Sequence, residues 1–202
     1  LIVFAYESHT RYRLVFAANR DEFYERETRP AQFWESSPNI LAGKDLRGGG
    51  SWMGITRQGR FAAVTNFREP DKIISDAPSR GFLVLDFLNG KSTPRKYLEK
   101  IAMKGHAYNG FNLLAGDTEQ LLYYSNRQGE IKTVSPGIHA LSNCLLDTPW
   151  PKTTRAKRLF LKTVDQNETS LTQKLLSVLK DEQKPPDRLL PDTGVPLEWE
   201  RI

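Results

Sequence analysis

Segments with strand character and segments with helical character fall into separate blocks along this chain of 202 residues. Short apolar runs rich in β-branched and aromatic residues come first, and two helical patterns follow them. Short runs then return before two further helical patterns. A parallel sheet needs strands that alternate with crossover helices, so this order argues against one. The blocks predict an α+β fold built on antiparallel sheets.

The individual elements are predicted from apolar periodicity and from turn and cap residues. Ser79 is expected to cap the first helix, and Thr93 is expected to cap the second, which has Pro94 at its first position. The predicted strands cover residues 1–6, 12–18, 51–56, 60–66, 111–115, 120–125, 130–134 and 139–141, and the predicted helices cover 80–88, 94–104, 154–164 and 171–179.

Composition excludes several classes of protein. Twenty-nine Lys and Arg against 24 Asp and Glu give a net charge of +5, which favours an anionic ligand. The sequence has no run of five like charges and no nucleic-acid motif, so no nucleic-acid partner is predicted. Its single cysteine, Cys144, excludes an internal disulfide and predicts a cytoplasmic setting. No apolar run is long enough for a transmembrane segment.

The organisation predicted is a single domain over residues 1–202. The chain begins with an apolar strand instead of Met, and its last residues include Trp199 with no apparent partner element. We therefore expect a residue before Leu1 and a further portion after residue 202. The sequence leaves the oligomeric state open.

The polar block Asn19-Arg20-Asp21-Glu22 directly follows the apolar run at 14–18. Working side chains concentrate where a strand leaves a sheet, because the scaffold there is rigid and the side chain can leave the core. An ordinary solvated turn has the same composition, and spacing by itself does not separate the two interpretations.

Three other polar clusters, at residues 65–68, 108–112 and 141–144, also place an asparagine beside apolar strand residues. An amide donates hydrogen bonds to a developing oxyanion, but asparagine also satisfies tight turns. The arginines at 20, 68 and 155 suit a two-pronged contact with a carboxylate or phosphate, or a structural ion pair. His9, His106 and His139 show no metal-ligand spacing, so no metal site is predicted, and they are the weak candidates for axial haem ligation.

Five motifs together resemble the NRDE family, also called the transport and Golgi organisation protein 2 family. They cover residues 19–22, 48–54, 65–68, 108–113 and 141–152, in the family's order. The resemblance implies a fold similar to that of the N-terminal-nucleophile hydrolases, a four-layer αββα sandwich of two antiparallel sheets flanked by helices. In that fold the nucleophile is the first residue of the mature chain, commonly Cys in this family, and its own amine acts as the base.

The resemblance also implies residue roles. Asp21 takes the place of the acid that holds the N-terminal amine, Arg20 or Asn19 flanks the nucleophile, and Asn66 and Asn143 resemble oxyanion donors. The predicted catalytic residues are Asp21, Asn143, Asn66 and Arg20. The predicted ligand contacts are Asn19, Arg20, Glu22, Arg68 and Asn112.

The resemblance implies two main functions, with acyl-lipid binding as a looser third. The first is binding and trafficking of haem, as a transported ligand, or of another amphipathic anion, with no cofactor required. The alternative is an N-terminal-cysteine amidohydrolase that cleaves non-peptide C–N bonds, with its cysteine just upstream of Leu1. In both cases the partner is a small molecule.

Overall fold

The computed structural model describes residues 1–164 and 168–201. The strands are β1 Ile2–Tyr6, β2 Leu14–Ala18, β3 Thr28–Trp34, β4 Ser37–Asp45, β5 Met53–Thr56, β6 Phe61–Asn66, β7 Phe111–Gly116, β8 Leu121–Ser125, β9 Ile131–Thr133 and β10 Gly137–Leu141. The helices are α1 Gly81–Asn89, α2 Pro94–Lys104, α3 Pro151–Val164, α4 Glu168–Leu179 and the single turn α5 Leu197–Glu200. Short 3₁₀ turns cover Pro70–Lys72, Gly105–Ala107 and Asp187–Leu189.

These elements form two compact units. The terminal unit comprises Leu1–Asp21, Arg68–Asp71 and the described residues from Ser135 onward. The central unit comprises Glu22–Phe67 and Lys72–Val134. The prediction of a single domain stays a prediction.

The terminal unit contains a three-stranded antiparallel sheet in the order β10-β1-β2. All five residues of the central strand β1 are buried. Ile2 pairs with Ala18 on one side and with Leu141 on the other. The start of β1 therefore lies beside the ends of both neighbouring strands, so residues just before Ile2 and just after Ala18 or Leu141 meet at one edge of the sheet.

Helices α3 and α4 pack against this sheet. The core of the unit consists of small and branched side chains from β1 and β2, such as Val3 and Ala17, in contact with Phe160 of α3 and Leu171 of α4. Phe160 is completely buried, and a side chain of that size contributes roughly 1.5–3 kcal/mol by leaving water.

The central unit contains a seven-stranded antiparallel sheet whose strands follow chain order from β3 to β9. Helices α1 and α2 form its main hydrophobic core with side chains of the strands, including Leu83, Phe87, Leu98 and Phe111. The Gly-rich segment at 48–50 serves this packing. A Cβ atom on Gly50 would lie only 2.6 Å from the carbonyl carbon of Gly81, so the two backbones approach too closely for any larger residue.

The α+β class with two antiparallel sheets and flanking helices is confirmed, as are the first hairpin and the Thr93 cap, whose side-chain oxygen accepts from the Lys96 amide. The Ser79 cap is wrong, because α1 begins at Gly81 and its N-cap residue is Arg80, which makes no side-chain cap bond. Helix α3 begins three residues earlier than predicted, at Pro151. Proline suits the first helical position, where no intrahelical N–H bond is needed.

Strands β3 and β4 were not predicted. Almost every residue of β3 is exposed, so the strand has no buried face to produce an alternating pattern. It also contains Pro30, which is tolerated because β3 lies at the edge of its sheet. Among the helices of the described residues, none is both long and apolar enough to cross a bilayer.

Candidate ligand-binding cavity

The terminal unit contains a cavity of about 470 Å³, a volume typical of small-molecule sites. One part of its wall is apolar and includes Ala156 of α3, Val178 and Leu179 of α4, and Leu190. The other part carries the charged groups, among them Asp21, Arg68, Lys152 and Glu200, together with the ring of Trp150. The arrangement suits a ligand with one apolar end and one polar end.

The β1–β2 register brings the polar block after β2 to this cavity. The backbone nitrogen of Leu1 lies 3.5 Å from Oδ2 of Asp21. The amide nitrogen of Asn19 donates to the Leu1 carbonyl at 2.9 Å, and its side chain donates to the Leu179 carbonyl at 2.9 Å. Asn19 thus ties the end of β2 to both the start of β1 and the end of α4, and Asp21 faces the point where β1 begins.

Lys152, in the first turn of α3, is half-buried in the cavity wall. Its ammonium lies 5.7 Å from the ring centre of Trp150, within the range of a cation–π contact. Burial, followed by repulsion from Arg68, lowers the pKa of Lys152 from 10.5 to about 8, and attraction by Asp21 and Glu200 offsets only part of this. The cavity therefore holds a poorly solvated cation.

Arg68 is held in the wall by Glu200. The Arg68 guanidinium donates to Oε2 of Glu200 at 2.8 Å, and it lies 6.0 Å from the Trp150 ring centre. The Glu200 side chain is only 3% exposed, and its other oxygen accepts from both the amide and the hydroxyl of Thr193. This buried pair joins the 68–71 segment to the C-terminal part of the unit.

The segment between β10 and α3 is anchored by Asp147, which has a left-handed backbone with φ of 58°. One carboxylate oxygen accepts from the Ala140 amide at 3.0 Å and from the Lys157 ammonium at 2.8 Å, and the other bonds Nδ1 of His139 at 2.6 Å. Burial by itself raises the pKa of Asp147, but the bonds from His139 and Lys157 outweigh it and lower the pKa from 3.8 to about 2. The anchored segment leads directly to Trp150 and Lys152.

His139 is fully engaged in this anchor. Its second ring nitrogen, Nε2, bonds the Ser135 carbonyl at 2.9 Å. Both ring nitrogens therefore already contact an oxygen of a neighbouring residue.

Comparison with known proteins assigns the family. The sequence model described as Transport and Golgi organisation 2 matches residues 1–202. The Transport and Golgi organization protein 2 homolog of Bos taurus is 41% identical over 201 residues, a match that covers 93% of this chain and 72% of the relative. The chain belongs to the Transport and Golgi organisation 2 family.

Solved structures similar to this family member include two enzymes of the N-terminal-nucleophile hydrolase fold. The Caenorhabditis elegans ortholog of N-acylethanolamine-hydrolyzing acid amidase matches with a TM-score of 0.59 at 11% identity, over 89% of this chain and 85% of that one. Penicillin V acylase from Agrobacterium tumefaciens matches with a TM-score of 0.53 at 11% identity, over 97% and 74%. The predicted fold is confirmed.

Within the terminal unit of this family member, three of the predicted residues, Asn19, Asp21 and Arg68, line the cavity. The side chain of Arg20 is exposed and is not among the described residues that line it. Asn143 is half-buried. Its main-chain carbonyl accepts from the main-chain N–H of Arg68 at 2.7 Å, which positions the segment that carries Arg68. The catalytic roles of these residues stay predictions.

The other predicted residues belong to the central unit. Asn66 ends β6 and is exposed, and Glu22 lies 3.5 Å from the Arg26 guanidinium. Asn112 is completely buried. Its side-chain carbonyl accepts from the Tyr123 hydroxyl at 2.7 Å, and its side-chain NH₂ donates to the Thr65 hydroxyl oxygen. The observed bonds of Asn112 are those of a core residue, and its role as a ligand contact stays a prediction.

The charged cavity residues Lys152 and Glu200 were missed by sequence reasoning. Lys152 ends the longest family motif. A cation in the first turn of a helix is disfavoured by the helix dipole, so its presence there is a signal of a functional residue. Glu200 carries no such signal, because nothing local distinguishes a buried glutamate from a solvated one. Among the described residues, no group of three or more His, Cys, Asp or Glu is placed to hold a metal ion.

Proposed function

We propose that the cavity of the terminal unit binds a small amphipathic anion, a class that includes haem. The observation that carries the proposal is the division of the wall into an apolar part and a part with the half-buried cation Lys152. An apolar wall favours the ligand's hydrocarbon by removing it from water, and a desolvated ammonium favours an anionic group more strongly than a solvated one does.

Haem fits this proposal because its propionates are anionic and its macrocycle is apolar. Lys152 would hold a propionate, and the wall that includes Val178 and Leu179 would hold the macrocycle. The described residues that line the cavity include no His, Cys, Met or Tyr, so none of them offers the iron one of these usual axial side chains. His139 lies outside that wall with both ring nitrogens bonded.

Titration of the intact protein with haemin, followed by the Soret band, tests the proposal. We expect saturable binding, and we expect an excess of a long-chain carboxylate to displace haemin. Leu190→Asp places a negative charge in the cavity wall and should weaken binding at least about tenfold. The matched control is Leu189→Asp, because Leu189 is exposed and does not line the cavity. Absence of saturable binding of both haemin and the carboxylate would refute the proposal.

A second candidate function is amide hydrolysis. It is favoured by the contact of 3.5 Å between the Leu1 nitrogen and Asp21 in the cavity wall. A cysteine bonded to that nitrogen, with a free amine, would stand beside the cavity, and its amine would take the thiol proton. The thiolate would attack the carbonyl carbon of an amide, the amine leaving group would depart with that proton, and water would then release the acid.

Mass spectrometry of the mature N-terminus is the first test of this second candidate. A first residue other than Cys, Ser or Thr would end it. If cysteine is found, Asp21→Asn should abolish turnover of a panel of acyl amides. Asp181→Asn should leave turnover within about threefold, because the Asp181 carboxylate on the same wall is paired with Arg155.

A further inference from the structure

We propose that the ligand of this cavity is an amphiphile with a single carboxylate and that the Lys152 ammonium binds that carboxylate. This inference rests on the proposed binding of an amphipathic anion and narrows it to one class. The charged groups of the wall differ in whether a neighbouring side chain already compensates their charge.

Arg68 is compensated. Its guanidinium is paired at 2.8 Å with Glu200, whose side chain is 3% exposed and is held in addition by Thr193. A ligand carboxylate beside Arg68 would meet a cation whose charge Glu200 already balances, and the buried Glu200 carboxylate would repel it. Displacing Glu200 instead would break a buried pair, which is strongly unfavourable.

The remaining charges of the wall are paired or open to water. Asp181 is paired with Arg155, and Arg201 is paired with Asp187. The Asp21 side chain is 61% exposed, so water solvates its carboxylate. None of these groups presents a desolvated charge to the cavity.

Lys152 is different. Among the described residues, its ammonium has no hydrogen-bond or ion-pair partner, and its recorded contact is the face of Trp150 at 5.7 Å. It also lies at the positive end of α3, a helix of 14 residues, so the helix dipole adds to its charge. An ammonium that is partly removed from water without a partner is unfavourable, and a carboxylate from a ligand would compensate it. Its lowered pKa is the expected response to this environment.

Among the described residues of the wall, Lys152 is the partly buried cation without a direct ion-pair partner, and one such cation matches one negative charge. A dianionic ligand such as haem would leave its second carboxylate facing either the Arg68–Glu200 pair or water. A monocarboxylate with a hydrocarbon chain would instead place its only charge on Lys152 and its chain along the apolar wall that includes Val178 and Leu179.

Isothermal titration of the intact protein with laurate and with its uncharged methyl ester tests the inference. We expect laurate to bind about 10- to 100-fold more tightly than the ester, which is the range for a charge-assisted hydrogen bond. Lys152→Gln should remove most of this difference, and Lys152→Arg, which keeps the charge, should retain it. The matched control Lys162→Gln changes an exposed lysine of the same helix and should have no effect.

The pH dependence gives a second measurement. Binding of laurate should weaken as the pH rises through about 8, because the free ammonium then loses its proton. The Lys152→Arg variant should show no such weakening, because a guanidinium stays charged.

Equal affinity for laurate and its ester, or unchanged laurate binding in Lys152→Gln, would overturn the role of Lys152 while the binding of amphiphiles stands. Saturable binding of haemin without binding of laurate would overturn the monocarboxylate class alone. No binding of laurate, ester or haemin would overturn both this inference and the proposed function.

Discussion

Replacing Asp147 by Asn removes one negative charge from the anchor between β10 and α3 and changes little else. Asparagine adopts the left-handed backbone that Asp147 has, with φ of 58°, more readily than other non-glycine residues. Its carbonyl oxygen can still accept from the Ala140 amide, which now bonds the carboxylate at 3.0 Å. The substitution therefore tests the charged contacts with His139 and Lys157.

The size of the effect follows from the pKa of Asp147. A fall from 3.8 to about 2 corresponds to about 2.5 kcal/mol of stability, at about 1.36 kcal/mol per pH unit. Because the side chain is 32% exposed, solvent screening reduces this, and we expect Asp147→Asn to lower the free energy of unfolding by about 1–2 kcal/mol near neutral pH.

The direction in which stability changes with pH follows from the same pKa shift. The folded-state pKa lies below the unfolded value, so the carboxylate contributes its full stability above about pH 4. That contribution is lost as the pH falls through about 2, where Asp147 is protonated in both states. The difference in stability between wild type and Asp147→Asn should therefore be constant from about pH 7 to about pH 5 and should shrink at lower pH.

Urea denaturation of both proteins at several pH values measures this difference. Asp187→Asn is the control, because Asp187 is paired with Arg201 in an exposed position and that pair should lose its effect in about 0.5 M salt. A difference for Asp147→Asn that does not shrink between about pH 5 and pH 2 would show that the charge of Asp147 contributes nothing to stability.

Two further predictions concern the packing of each unit. Phe160→Ala should destabilise the protein by about 3–5 kcal/mol in urea unfolding, because the ring is completely buried between α3 and the three-stranded sheet, whereas Leu161→Ala at an exposed position should change stability by less than about 0.5 kcal/mol. Gly50→Ala should cost about 1–3 kcal/mol, since the new methyl group would meet the Gly81 backbone at 2.6 Å, and an unchanged urea midpoint would contradict that close approach.

Much of the fold could be predicted from local patterns. The hairpin of β1 and β2 is visible as two apolar runs around a polar turn, and α2 is visible from Thr93, Pro94 and its apolar face. Strand β3 could not be predicted in this way. Its residues are mostly exposed, and its strand pairing is with β4, a contact that no alternation of apolar residues records.

The residues of the cavity likewise include some that local patterns predict and others that they do not. The polar block at 19–22 could be predicted because it directly follows a strand, and two of its residues, Asn19 and Asp21, line the cavity. Arg68 was predicted as a ligand contact from the polar cluster at 65–68, but its partner Glu200 is 132 residues away in the chain. No spacing rule connects positions that far apart.

The sequence by itself determined the antiparallel α+β class, the family and the strand end where Asp21 lies, because these depend on short-range pattern and on motif order. Only the tertiary structure decided which of the charged residues share a cavity and which of them are already paired. The physical reason is that the effect of a charge depends on its burial and on partners within a few ångströms. Lys152 becomes partly buried, and Arg68 and Glu200 become paired, only when distant segments of the terminal unit come together.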